Sequence, residues 1–174
     1  MLSDFFFQIA NLKNIRRSGW KTKLQLSHSE SVADHTYMMT VMTMILSDIK
    51  NLDTEKTIKM ALLHDWAESK TGDFMPDEIE PERKNQLEED AMNEILGMLP
   101  HDVQLSYQII WKEYQNNESM EAVFVHQLDK LEMVLQAKIY EKDVKPEEIQ
   151  PFIVSAVDQI KDNDLKKILQ VILE

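Results

Sequence analysis

A histidine followed directly by an aspartate, His64-Asp65, is the stretch of this sequence with the clearest chemical potential. The pair stands at the end of an apolar run, and Glu68 follows it within one helical turn. An imidazole beside a carboxylate suits Mn²⁺, Co²⁺, Fe²⁺, Zn²⁺ or Mg²⁺. One such pair alone carries little information, but His35 upstream and Asp129 downstream would complete a site of two histidines and two aspartates. A site of that kind usually supports hydrolysis.

Burial strengthens the case for both aspartates. The apolar residues before His64-Asp65 indicate that the pair emerges from the core, where an unpaired carboxylate is costly. Asp129 shares the inward face of its predicted helix with Leu128. We do not expect an ion pair with Lys130 to explain Asp129, because adjacent helical residues point about 100° apart. The alternative for Asp129 is a buried aspartate that caps another helix. The alternative for His35, a lone histidine in the second helix, is a core residue with one hydrogen bond.

The elements that must position these side chains are predicted to be helices throughout. Apolar residues recur at spacings of three and four, with no convincing alternation, and this favours an all-α protein. Ser29 or Ser31 can cap the second helix and Asp53 or Thr54 the third. The segment 16–29 is predicted to be a basic loop, and Pro76 and Pro81 bracket an acidic one. The predicted helices are 2–15, 32–49, 54–64, 66–70, 82–98, 102–114, 118–140, 146–160 and 164–172.

Length and composition set the broad class. A chain of 174 residues is most simply one domain, here 1–174, with the metal-site core in about 30–140 and helices in 146–174 that complete a helical bundle. Cysteine is absent, so thiolate ligands are excluded. No apolar run approaches a membrane span and no signal peptide is evident, so we expect a cytoplasmic protein without a membrane partner. The net charge of -12 argues against a nucleic-acid polymer as partner.

The charge is unevenly distributed. No acidic residue lies between Phe5 and Ser29, and this segment carries five cations: Lys13, Arg16, Arg17, Lys21 and Lys23. Such a local positive stretch could attract small anions despite the acidic chain. A basic surface loop that balances an acidic neighbour is the alternative.

The ordered motifs resemble the HD-domain superfamily. They are Glu30–His35, then His64–Glu68 with Thr71-Gly72-Asp73, then Gln127–Met133. More closely, they resemble the HD-domain 5'-deoxynucleotidases, both the YfbR-like bacterial enzymes and the HD-domain-containing protein 2 type. The resemblance extends upstream to Arg17-Ser18-Gly19-Trp20 and thins after about Val144. It covers nearly the whole chain, and the fold it implies is a single HD-type helical bundle.

The resemblance implies a set of metal ligands and a reaction. His35, His64, Asp65 and Asp129 would hold a divalent ion, with Mn²⁺, Co²⁺ or Mg²⁺ favoured and Zn²⁺, Fe²⁺ or Ni²⁺ open. The implied activity is hydrolysis of a (deoxy)nucleoside 5'-monophosphate to nucleoside and phosphate, with Asp65 and Glu68 in the catalytic site. Glu68 would orient or deprotonate the attacking water, or protonate the leaving group.

Other residues are implied to meet the substrate. Asp73 would contact a sugar hydroxyl, and Asp73 or Glu68 could hold a second, weaker ion. Arg17 would neutralise phosphate charge, with Arg16 as an adjacent competitor, and the indole of Trp20 would close over sugar or base. Helical faces left over from the core, including the carboxy-terminal pair, suggest a homodimer, as the resemblance also does.

Three further histidines and several rival functions stay open. His28 and His101 are expected in loop or surface positions, and His126 at most beside the metal rather than on it. The rivals are a phosphohydrolase acting on another nucleotide or small phosphate ester, including a cyclic-nucleotide phosphodiesterase or a triphosphohydrolase, and a di-iron oxygenase. A helical regulatory protein with a structural metal is the non-enzymatic rival, and Glu68→Gln separates it from an enzyme.

Overall fold

The computed structural model of this chain describes residues 1–75 and 77–174, so Pro76 of the predicted acidic loop lies outside the described residues. The described part contains helices and one isolated bridge between Arg16 and Ser31, which confirms the all-α prediction. The helices are α1 Leu2–Ala10 with a following 3-10 turn Asn11–Lys13, α2 Ser18–Lys23, α3 Val32–Lys50, α4 Thr54–Leu63, α5 Glu68–Thr71, α6 Pro81–Leu96, α7 His101–Gln115, α8 Met120–Tyr140, α9 Pro146–Val157 and α10 Asn163–Leu173.

Local hydrogen bonds fix the ends of the helices that carry the candidate ligands. The Ser31 hydroxyl accepts from the Asp34 N–H at 3.1 Å, and the Asp34 carboxylate accepts from the Ser31 N–H at 2.9 Å. This reciprocal capping starts α3 one turn before His35. Asp53 caps α4 by accepting from the Lys56 N–H at 3.0 Å. The starts of α3 and α4 are therefore specified by their own sequences.

Two differences from the predicted helix map bear on the site. The segment predicted as a basic loop contains α2, in which Trp20 is the buried residue. A six-residue helix with one large apolar side chain has too few apolar positions to show helical periodicity. The third helix ends at Leu63, and His64 is its C-cap. The chain therefore turns between His64-Asp65 and α5. A helix that continues from His64 to Glu68 was the other possibility.

α8 lies at the centre of the packing. Its apolar residues Leu128, Leu131 and Val134 are fully buried, and α3, α4, α7, α9 and α10 contact it. The helices α9 and α10 share its largest apolar cluster and so complete the bundle. No helix among the described residues is long and apolar enough to span a membrane.

Candidate metal centre

Four side chains from three parts of the chain converge where α3, α4 and α8 meet. His35 belongs to the first turn of α3, His64 and Asp65 follow the last residue of α4, and Asp129 lies in the middle of α8. Ligand atoms of His35, His64 and Asp129 all lie within 4.8 Å of one another. The Asp65 Oδ2 atom lies 3.0 Å from His64 Nε2 and 3.8 Å from His35 Nε2. The four predicted ligands are therefore brought together.

The hydrogen bonds of the two imidazoles direct their other nitrogens into this cluster. His64 Nδ1 lies 2.7 Å from the carbonyl oxygen of Ala61, which can only accept, so Nδ1 carries the hydrogen. His35 Nδ1 lies 2.5 Å from a carboxylate oxygen of Glu132, which is likewise an acceptor. When the rings are neutral, as metal ligands must be, both Nε2 atoms are the lone-pair nitrogens. A metal ligand held in this way has its tautomer and ring orientation fixed.

These lone pairs face carboxylate oxygens. His35 Nε2 lies 3.2 Å from Asp129 Oδ1, and His64 Nε2 lies 3.0 Å from Asp65 Oδ2. Both Nε2 atoms and Asp65 Oδ2 are buried without a hydrogen-bond partner. A lone pair directed at a carboxylate is repulsive unless a cation lies between the two groups. The residues present therefore fit a divalent cation with mixed nitrogen and oxygen ligands.

The electrostatics of the cluster favour positive charge. Burial and Arg17 oppose a charged His35, but Asp129 and Glu132 outweigh them and raise its pKa to about 9. Burial also opposes the charge on Asp129, yet Lys130 and His35 hold its pKa well below the usual value. When no cation is bound, a proton on His35 supplies the positive charge that the carboxylates require. A bound metal ion would supply that charge instead.

Glu68 reaches the same place from the first turn of α5. Its side chain is buried, and its Oε2 atom has no hydrogen-bond partner. Burial first, and then the charges of Asp65 and Asp73, raise the pKa of Glu68 well above the ordinary value. A buried carboxyl whose pKa is raised next to a metal cluster has the properties of a proton donor or acceptor.

The two adjacent arginines of the basic segment point to different partners. Arg16 donates from Nη1 to the backbone carbonyl of Ser29 at 2.6 Å. Arg17 places Nη1 3.5 Å from Asp65 Oδ2 and lines the cavity above the ligands. Burial opposes the charge of Arg17, but Asp65 and Asp73 raise its pKa, so it stays a cation. Of the two arginines, Arg17 is the one that lies at the cluster of candidate metal ligands.

Asp73 and Trp20 line the same cavity as Arg17. Asp73 Oδ2 accepts from the backbone N–H of Ser18 at 2.6 Å, which ties the loop after α5 to the start of α2. Trp20 is only 2% exposed, and its indole N–H donates to Glu30 at 2.7 Å. The substrate contacts of both residues stay predictions.

One cavity of about 510 Å³ opens over the cluster. A volume of this size is typical of a site for a small organic ligand. Its cationic side chains are those of Arg17, Lys23, Lys84 and Lys130. Residues of α9 also line it: Pro151, Phe152 and Ser155, with Gln159 just beyond the helix end.

Sequence reasoning missed several of these contributions. Lys130 does reach its neighbour: Nζ lies 2.8 Å from Asp129 Oδ2, so the expectation that no such ion pair forms was wrong. The argument from angular separation applies to Cβ directions, whereas a long lysine side chain can curl back to the preceding residue. Glu132 was quoted only as part of a motif, although its spacing of three from Asp129 signals a shared face. In the sequence, the spacing of Phe152 is the same as that of an ordinary core residue, so its place in the cavity could not be predicted.

The remaining histidines lie away from the ligand cluster. His28 and His101 are exposed. His126 stacks on Tyr114 with ring centroids 3.9 Å apart, and its Nε2 donates to the Tyr114 carbonyl at 2.9 Å. It lines the cavity without joining the ligand cluster.

The helical bundle and its mixed histidine-aspartate cluster define a known class. The sequence matches the HD domain family over residues 9–172. The chain therefore belongs to the HD-domain family, as the ordered motifs predicted.

Individual relatives narrow the class. The human protein named 5'-deoxynucleotidase HDDC2 is 37% identical over 170 residues, which cover 97% of this chain and 82% of the human protein. The 5'-deoxynucleotidase YGK1 of Saccharomyces cerevisiae is 33% identical over 168 residues, with 94% and 77% covered. A crystal structure of a Pyrococcus horikoshii protein has a TM-score of 0.81 at 28% identity and covers 99% of this chain and 98% of that one. The predicted resemblance to HD-domain 5'-deoxynucleotidases is confirmed.

Proposed function

We propose that this protein is a metal-dependent 5'-deoxynucleotidase that hydrolyses (deoxy)nucleoside 5'-monophosphates to nucleoside and phosphate. The observation that carries the proposal is the convergence of His35, His64, Asp65 and Asp129 at a cavity that Arg17 and Glu68 also line, with three ligand atoms of this group buried without a hydrogen-bond partner. Relatives named as 5'-deoxynucleotidases support the choice of substrate.

His35, His64, Asp65 and Asp129 would hold the ion. A divalent cation bound there would polarise a phosphoryl oxygen and lower the pKa of water. Imidazole and carboxylate ligands without thiolates favour Mn²⁺, Co²⁺ or Mg²⁺ over softer ions, and Zn²⁺, Fe²⁺ and Ni²⁺ remain candidates for the metal bound in the cell. Glu68 or Asp73 could hold a second, weaker ion.

Glu68 would manage the proton of the reaction. In the hydrolysis, a water oxygen forms a bond to phosphorus while the bond from phosphorus to the sugar O5' breaks. Burial and the neighbouring carboxylates raise the pKa of Glu68, which favours its acid form, and this acid would give its proton to O5' as the nucleoside leaves. The carboxylate then recovers a proton from the attacking water, so protons balance over one turnover.

Arg17 and Asp73 would bind opposite ends of the sugar phosphate. The guanidinium of Arg17 offers planar donors for phosphate oxygens, and its position over Asp65 brings those donors to the cluster. Asp73, held by the Ser18 N–H, has a carboxylate that can accept from a sugar hydroxyl. Trp20 would close the wall beside the nucleoside, and the cavity volume accommodates one nucleotide.

The assay that tests the proposal is phosphate release from a panel of nucleoside 5'-monophosphates. Each ribo- and deoxyribonucleotide is incubated with Mn²⁺, Co²⁺, Mg²⁺ or chelator, with Asp65→Ala as the control. We expect metal-dependent release that Asp65→Ala abolishes. Absence of metal-dependent release from every nucleotide would contradict the proposal. If the protein instead hydrolysed a cyclic nucleotide to the monophosphate, or a nucleoside triphosphate, and left the monophosphates intact, a rival phosphohydrolase function would be favoured.

The assembly and location are part of the same proposal. Apolar side chains remain largely exposed on α3, where Tyr37 is 72% and Ile49 is 68% exposed, and on α10, where Val171 is 70% exposed. These faces support a homodimer, which light scattering on the purified protein would test. The cytoplasmic location and the absence of a membrane or nucleic-acid partner stay predictions.

A further inference from the structure

Phe152 of α9 lines the cavity above the candidate metal ligands, and it is not among the predicted site residues. It is partly buried and lines the same cavity as His64, Asp65 and Asp129. Ser155 and Gln159 lie three and seven residues after it and line that cavity too. One face of α9 is therefore directed at the cavity, while its buried residues Ile149, Ile153 and Ala156 pack in the main core.

The cavity leads from the metal ligands to this wall along α8. Met133 lines the cavity four residues after Asp129, so the two side chains lie on one face of α8 about 6 Å apart along the helix axis. Met133 and Phe152 both pack against the core cluster that α8 and α9 share. A ligand whose phosphate lies at Asp129 would thus meet apolar side chains one turn further along α8.

The aromatic ring of Phe152 is held in place by α2. A Cβ atom on Gly19 would lie 3.1 Å from Phe152 Cε1, so a glycine there lets the ring rest close to the backbone. The centroids of Phe152 and Trp20 are 4.4 Å apart at 38°. Trp20 itself is engaged by Tyr140, 5.6 Å away, and through its indole N–H by Glu30. Trp20 is the support, and Phe152 is the aromatic side chain that is still partly exposed.

The chemistry of this wall differs from that of the metal end. The α9 contributions are Pro151, Phe152, Ser155 and Gln159, and no charged side chain of α9 is among the cavity-lining residues. The cations of the cavity come from α2, α6 and α8 and from Arg17. A flat, neutral, partly apolar group therefore fits this wall better than a phosphate does.

We propose that Phe152, supported by Gly19 and Trp20 and flanked by Met133, is the surface on which the nucleobase of the substrate stacks; this inference rests on the proposed nucleotidase function. Stacking uses the π-face that every base has, so it tolerates any base. The protein then accepts several nucleoside monophosphates and favours purines, whose ring area is larger. Gln159 and Ser155 contact the base edge at the rim.

The test compares a nucleotide with a sugar phosphate that lacks the base. Steady-state kinetics are measured for 2'-deoxyadenosine 5'-monophosphate and for 2-deoxyribose 5-phosphate with wild type, Phe152→Ala, Phe152→Leu and Phe152→Tyr. We expect Phe152→Ala to reduce the ratio of kcat/KM for nucleotide over sugar phosphate about tenfold, mainly through KM, because one base-aromatic stack is lost. Phe152→Tyr keeps the ratio, and Val154→Ala, on the exposed face of α9, is the control for the helix.

Two further measurements distinguish failure of the stacking proposal from a folding defect and from failure of the nucleotidase proposal. Phe152→Leu keeps most of the packing volume against Trp20 but lacks the aromatic face, so it should reduce the ratio even if Phe152→Ala does not fold. If the wild type hydrolyses no nucleotide, the nucleotidase proposal fails. Calorimetric titration of 2'-deoxyadenosine 5'-monophosphate into wild type and Phe152→Leu still decides the stacking surface. Equal affinities, or an unchanged kinetic ratio, overturn the inference.

Discussion

The floor and the α9 wall of the cavity are built on different physical principles. The floor consists of His35, His64, Asp65 and Asp129, in which both histidine Nε2 atoms and Asp65 Oδ2 are buried without a hydrogen-bond partner. The α9 wall consists of apolar and neutral groups that pack against the main core. A polar cluster that is partly unsatisfied is costly, so each of its members is strongly specified.

The difference teaches where function can be recognised and where it can vary. Exchange of one ligand in the floor leaves a buried charge unpaired, whereas an exchange of one apolar residue for another in the α9 wall changes mainly shape. We therefore expect changes in the floor to abolish the reaction and changes in the α9 wall to alter substrate choice. Four substitutions, in the floor and away from it, test the first of these expectations, and the Phe152 variants test the second.

The largest effect is expected from Asp129→Ala, which removes a ligand of the floor. Loss of the metal contribution should reduce nucleotide hydrolysis more than about 1000-fold, because a bound metal ion supplies several kcal/mol of transition-state stabilisation. The upward shift of Tm on addition of Mn²⁺ should disappear as well. Asp143→Ala, in the exposed turn after α8, is the matched control and should behave as wild type. Mn²⁺-dependent activity within tenfold of wild type would show that Asp129 is not a ligand.

Glu68→Gln separates proton transfer from metal binding. We expect kcat to fall about 100- to 1000-fold, because general acid-base catalysis contributes 10²- to 10⁴-fold and the amide cannot exchange a proton. Metal affinity and nucleotide binding should stay close to wild type, measured by a competing chelator dye and by calorimetry. Glu82→Gln, on the exposed side of α6, is the control. Unchanged phosphate release from the Gln variant would favour a structural metal in a regulatory protein.

Glu132 links the floor to the core beneath it, and its removal should weaken metal binding. The carboxylate accepts from His35 Nδ1 at 2.5 Å and is 1% exposed. Loss of such a partner typically costs 10- to 100-fold in metal affinity, and we expect about this loss for Glu132→Ala. Glu132→Gln keeps an acceptor oxygen and should recover part of the affinity. The measurement is the Mn²⁺ Kd, with Glu147→Gln on the surface of α9 as control. Equal Kd values for all variants would show that Glu132 does not orient the ligand.

Residues with strong chemical character could be predicted from sequence. His64-Asp65 follows an apolar run, and Asp129 interrupts an inward-facing stripe, so burial and charge were in visible conflict. The starts of α3 and α4 could also be predicted, because good capping residues, among them Ser31 and Asp53, stand directly before them. Those caps fix where the ligand-bearing helices begin.

The rest depends on tertiary contacts that leave no local pattern. Phe152 is spaced like a core residue, and only the approach of α9 to Gly19 brings its ring to the cavity. α2 has one buried residue in six, so no periodicity could reveal it. The ion pair of Lys130 with Asp129 depends on side-chain flexibility rather than on helix geometry. Phe152 and α2 lie outside the floor, whereas the ion pair of Lys130 is made to Asp129 of the floor itself.

The smallest effect is expected at the cap of α10, whose Asp162 does not line the cavity. Asp162 accepts from the N–H groups of Asp164 and Leu165 at 2.9 and 3.1 Å and pairs with Lys50 at 2.8 Å. Asp162→Ala should lower the free energy of unfolding by about 1 kcal/mol, as loss of a helix cap does, and leave hydrolysis unchanged.

Acid dependence identifies the cause of that loss. Burial alone would raise the pKa of Asp162, but Lys50 and the backbone donors lower it. A lowered pKa means that the stabilisation is complete above the unfolded-state pKa of about 3.9 and is lost as the pH falls through the folded-state value. Urea denaturation of wild type and Asp162→Ala should therefore differ at pH 7 and converge in acid, while Asp158→Ala follows wild type throughout. A gap that persists unchanged in acid would mean that the Asp162 charge contributes nothing to the cap.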